Sequence, residues 1–211
     1  MRSGALLALC AVFSASPAAE VVLNVVSPAN MAGSTAKVNT RIQSNGTKAL
    51  TLSLSLKSAN GTAVVVQELI FAADGRPIRM SRRTSLGTGK LVEFIRADIG
   101  ASTIKVTVER DGKPVVNTVP LPKGELKNIS EFWILRDKPT VGQKHTYQKF
   151  DLTSLTFAPA TVVYKGLQNV KVGGKTIKAH QIVEGTATTW LDDKGDPVKI
   201  EGRNSTMERR L

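Results

Sequence analysis

The sequence is poor in the residues that carry most protein chemistry. Among 211 residues there is one cysteine, Cys10, and there are two histidines, His145 and His180. A lone cysteine forms no intrachain disulfide and no cysteine-ligated zinc site. The histidines fall in no HxH or HExxH spacing, so no metal site is expected. Aromatic residues make up only 5% of the chain, and none interleaves with its arginines. The stacking platform that single-stranded nucleic acid needs is therefore missing, and no nucleic-acid partner is expected.

Long apolar runs are also scarce. The one compact run, Ala5 to Phe13, is too short to cross a bilayer, which takes about 20 residues. With Arg2 before it, and Ser16 and Ala18 placed at −3 and −1 of a cleavage point before Ala19, it reads as a secretory signal peptide over residues 1–18. Cys10 as a lipid anchor is the alternative, but Leu9 precedes it where a small residue is needed. Export would leave 19–211 free of cysteine, as one antiparallel β domain with a soft division near 120–140.

Acidic residues are outnumbered, 17 against 29 basic, for a formal net charge of +12. The basic residues are spread along the chain. Their densest group is Arg76, Arg79, Arg82 and Arg83, read as a basic surface; alternation would put Arg79 and Arg83 on one strand face. In an exported protein such charge suits an anionic envelope surface.

What the chain does have is period-two patterning. Leu50, Leu52, Leu54 and Leu56 alternate with Thr51, Ser53, Ser55 and Lys57. Ile104, Val106 and Val108 do the same, as do the stretches 175–184 and 186–191. These are half-buried strands of an antiparallel sheet. The pairs Asn45-Gly46, Asn60-Gly61, Asp74-Gly75, Asp111-Gly112 and Gly173-Gly174 sit between them as hairpin turns, and Lys194-Gly195-Asp196 makes a slightly longer one. Residues 124–137 break the rhythm: Leu126, Ile129, Trp133 and Ile134 approach helical spacing, and Pro139 ends it. A short helix is expected there as an apolar plug.

Candidate motifs for catalysis fail on spacing. Gly87-Thr88-Gly89-Lys90 has Thr84 and Leu91 where a phosphate loop needs Gly and Ser or Thr. Asp192, Asp193 and Asp196 are misspaced for a calcium loop. No Gly-x-Ser-x-Gly elbow marks a hydrolase, although a triad assembled only in space is not excluded by sequence. Four Asn-x-Ser/Thr triplets, at Asn45, Asn60, Asn128 and Asn204, are discounted as glycosylation sites, because turns already account for two of them. No catalytic residue, cofactor or metal is expected.

The C-terminal half carries a cadence: Glu131-Phe132-Trp133, Pro139, Gly142, Tyr147, Phe150, Val163-Tyr164-Lys165-Gly166, then Trp190-Leu191-Asp192-Asp193-x-Gly195-x-Pro197-Val198. Asp74-Gly75-Arg76-Pro77-Ile78-Arg79 echoes the last turn earlier in the chain. The pattern, over residues 37–208, resembles the DUF3108-like exported bacterial proteins and, more loosely, the LolA/LolB-like lipoprotein-carrier superfamily. The resemblance implies a single curved sheet, a half-barrel with a helix or loop across its concave face, in the periplasm or at the cell surface. It also implies a non-enzymatic role sheltering a lipid or lipoprotein ligand. Phe132, Trp133 and Trp190 are the candidate groove-lining residues, with core filling as their alternative. A β-sandwich acting as a structural or interaction module is the rival fold and function, and a hydrolase with a spatially assembled triad is the third reading.

Overall fold

The computed structural model describes residues 19–58, 61–124, 126, 134 and 137–211. Among the described residues, fourteen strands follow one another. They are β1 (Ala19–Ser27), β2 (Thr35–Ile42), β3 (Lys48–Ser58), β4 (Gly61–Phe71), β5 (Pro77–Leu86), β6 (Leu91–Ile99) and β7 (Thr103–Arg110). Then come β8 (Lys113–Pro120), β9 (Lys144–Asp151), β10 (Thr156–Val172), β11 (Lys175–Glu184), β12 (Ala187–Leu191), β13 (Pro197–Glu201) and β14 (Thr206–Arg209). All belong to one antiparallel sheet in the order β8-β7-β6-β5-β4-β3-β2-β1-β14-β13-β12-β11-β10-β9. The strands on either side of residues 120–140, β8 and β9, are the two edges of this one sheet, which is continuous through β1 and β14, and the two-sheet sandwich is not the architecture.

Turn chemistry sets the meander. At Asp111-Gly112 and at Gly173-Gly174 both central residues have positive φ, and each loop has two residues between paired strand ends. That is the geometry whose twist matches the flanking strands. The strand pattern follows the sequence: Ile104 and Val106 are fully buried and Leu50 nearly so. The register carries one face through successive strands, with Leu69 opposite Met80, Met80 opposite Ala97 and Ala97 opposite Val106.

The sheet is strongly rolled. β5 and β9 are ten strand spacings apart in the order, about 48 Å if the sheet were flat. Yet Phe150 and Leu152, from the end of β9 and the turn after it, pack in one cluster with Met80, Ile95, Ala97, Ile104 and Val106 of β5 to β7. The terminal edge therefore lies against the inner face of strands from the opposite half. No backbone ladder joins the edge strands β8 and β9; side chains make this closure. Pro114 and Pro120 on β8 lack N–H groups and blunt that edge against further pairing.

A second inner cluster joins Tyr147, Val162, Tyr164, Ile182 and Leu191 to Ile134. Ile134 is helical and buried; most of the segment expected to form the plug lies outside the described residues. Phe132 and Trp133 lie outside the described residues.

Because closure rests on side chains, truncating one should be costly. Phe150→Ala is expected to lower the unfolding free energy by about 3 kcal/mol, whereas Val116→Thr on exposed β8 should change it by less than about 0.5 kcal/mol. Urea denaturation of both variants measures this; equal, small effects would mean the β9 contact does not hold the roll.

Candidate functional site

The inner face meets β9 along a seam, and the seam is polar as well as apolar. Gln67 of β4 is opposite Arg82 of β5, and Arg82 is opposite Ile95. Glu93 lies two residues from Ile95 and opposite Arg110. Arg82, Glu93 and Arg110 thus share the face that carries the core. Arg82 donates to Glu93 at 2.8 Å and to the Thr153 hydroxyl at 2.7 Å, and Arg110 pairs with Glu93 at 2.6 Å. Burial alone would push the Glu93 carboxyl up. The hydrogen bonds and charges of Arg82 and Arg110 outweigh it and hold Glu93 below the ordinary value of 4.5.

Thr153 reaches Arg82 because of a local device. The Asp151 carboxylate accepts the backbone N–H groups of Thr153 at 2.6 Å and Ser154 at 2.8 Å. The Ser154 bond leads the causes that lower the Asp151 carboxyl. The turn between β9 and β10 is thereby fixed across β5. Further along, the Tyr147 hydroxyl donates to Glu184 at 3.0 Å and Lys149 to the same carboxylate at 2.6 Å.

Between these groups is a chamber of about 390 Å³. Leu69, Met80, Phe150 and Leu152 form its apolar wall; Gln67, Arg82, Lys149 and Glu184 are among its polar ones. The Nε of Arg82 is buried and has no hydrogen-bond partner among the described residues. A neighbouring, mostly apolar void lined by Phe71, Met80, Phe150, Phe157 and Lys149 among others is only about 20 Å³.

A second, open cleft of about 280 Å³ is lined by Ile134, Lys138, Pro139, Tyr164, His180 and Asp193. Tyr164 is placed by a bulge at Gly166, whose φ is 87°. Bulges of this kind re-aim side chains beside sites, and a Cβ on Gly166 would come within 2.9 Å of Val141. The Tyr164 hydroxyl is 2.7 Å from His180 Nδ1, and His180 Nε2 is 3.1 Å from Asp193 Oδ1.

The residues singled out from the sequence are dispersed. Trp190 is buried with Val170, Val172, Ala179 and Val198 and lines neither cavity; its ring has the Lys199 ammonium 5.8 Å away. It fills a core. The four arginines do not make one patch. Arg79 shares Asp98 with Arg96 on the face opposite the core, and Arg76 and Arg83 are exposed. Arg82 points inward instead, because strand alternation sends it to the side of Met80.

No protein-family model matches the sequence, and no curated protein matches it. The chain is similar in structure to a β-barrel-like protein of a domain of unknown function, DUF1849, from Brucella abortus. The TM-score is 0.58 over 92% of this chain and 94% of that one, at 14% identity. The likeness is one of fold.

The Glu93 network generates a pH test. Its folded value lies below its unfolded one, so its stabilisation is present above about pH 4.5 and is lost as pH falls through the depressed value. Glu93→Gln should cost about 2 kcal/mol at pH 7, from lost charge-assisted hydrogen bonds, and should flatten the acid limb. Denaturation from pH 7 to pH 3 reads both; an acid limb identical to wild type would remove Glu93 from the account.

Proposed function

We propose that this chain is an exported, non-enzymatic binding protein that shelters the apolar part of an amphiphilic, lipid-derived ligand in the seam of its rolled sheet. The observation that carries the reading is the seam chamber. Its volume is within the range of small-ligand sites, roughly 300–1,000 Å³, and one wall is hydrocarbon while the other offers charge and hydrogen bonds. Each methylene moved there from water contributes about 0.8 kcal/mol. The Arg82 and Lys149 side chains that line the chamber suit an anionic head. The resemblance to DUF3108-like and lipoprotein-carrier proteins points the same way, as does the candidate signal peptide at residues 1–18.

Catalysis is left out of the proposal for a chemical reason. At His180 one ring nitrogen engages Tyr164 and the other a carboxylate, and burial pushes the Tyr164 hydroxyl up, away from an activated phenolate. No serine takes part in that chain of hydrogen bonds. The basic residues on the outer face, Arg79 and Arg83 among them, suit an anionic envelope surface.

Native mass spectrometry of protein secreted with its own leader is the test, with the bound species released on denaturation. Wild type is expected to carry an amphiphile, and Gln67→Trp, which fills the chamber, to carry about tenfold less. Arg83→Ala on the outer face should match wild type. Folded wild-type protein that yields no ligand would overturn the reading.

A further inference from the structure

The open cleft beside the plug has features that the seam does not explain. Asp193 sits at the tip of the β12–β13 turn, but it does not build that turn. Asp192 does so: its carboxylate accepts from the backbone of Lys194 and of Asp196, both at 3.0 Å, and pairs with Arg209 at 2.8 Å. Asp193 is left to reach His180, and its side chain is 93% exposed there. A carboxylate only accepts, so a neutral His180 carries its proton on Nε2 and presents a bare Nδ1 to the Tyr164 O–H. The ring is thus held with one N–H aimed into the cleft, and a carboxylate already sits on it.

Lys138 brings a positive charge to the same cleft. Its N–H donates to the Ile134 carbonyl at 3.2 Å, and its φ is 43°. This is a helix end of the left-handed type, where glycine is the usual residue. Ile134 and Pro139 are buried and give the cleft an apolar side. An ammonium, an imidazole N–H and an apolar wall together are what a short aliphatic carboxylate requires.

We propose that the Lys138–Tyr164–His180 cleft binds aliphatic monocarboxylates, and that Asp193 is an internal stand-in occupying the carboxylate position until such a ligand displaces it. An almost fully hydrated carboxylate on a surface histidine gives up little when displaced. The ligand gains burial against Ile134 and Pro139 that Asp193 cannot.

Hexanoate titration of the full chain, followed by NMR of the His180 ring, tests this. Hexanoate should shift the ring resonances saturably and hexanol should not. Asp193→Ala removes the competitor at an exposed position and should tighten hexanoate binding about two- to fivefold, the scale of one exposed hydrogen bond. His180→Gln should weaken it about tenfold, and Gln67→Trp in the seam should leave it unchanged. The proposal is overturned if wild type and Asp193→Ala both fail to saturate, or if Asp193→Ala binds no tighter. Hexanol or inorganic phosphate binding as well as hexanoate overturns it too, as does hexanoate binding lost in Gln67→Trp but kept in His180→Gln.

Discussion

The structure depends on one contact: the packing of Phe150 and Leu152 against Met80, Ile95, Ala97, Ile104 and Val106. A fourteen-strand antiparallel sheet has a whole apolar face to cover, and the described residues supply little helix to cover it. Rolling the sheet until its last strands lie on its own inner face solves this. The twist that every strand carries favours such curling, since wide open sheets rarely stay flat. The edges need not pair for the roll to hold, because hydrophobic burial at the seam is non-directional.

That closure also determines the chemistry of the interior. Once β9 crosses β5, charged groups on the inner face are removed from bulk water and must find partners. Arg82 takes Glu93 and Thr153, Arg110 shares Glu93, and Lys149 and Tyr147 share Glu184. Each contact joins two strands, or a strand and the β9–β10 turn, so the polar network and the hydrophobic seam reinforce the same geometry.

Much of the local structure was legible in the residues. Asp111-Gly112 and Gly173-Gly174 are two-residue hairpins, as their composition says, and the alternation of Leu50 to Leu54 and of Ile104 to Val108 matches the buried face. The same alternation, followed one step further, would have placed Arg82 inside. Grouping four arginines by nearness in sequence hid the fact that neighbours on a strand point to opposite faces. Trp190 misled for another reason: a large aromatic near a turn is equally suited to a groove and to a core, and period two cannot distinguish them. Tyr164, His180 and Asp193 were each visible, the last in a turn motif tested for calcium, but nothing local says that they meet.

The sequence by itself determined most strands, the hairpin turns that join neighbours and which side chains of a strand share a face. These follow from interactions among residues a few positions apart. Only the tertiary structure decided the roll of the sheet, the seam chamber, the inward network of Arg82 and the contact of His180 with both Tyr164 and Asp193. These contacts join residues distant in sequence: His180 and Asp193 are 13 positions apart, and Arg82 and Thr153 are 71 apart. Such contacts are selected by the packing of the whole sheet, and no pattern within a single strand encodes them.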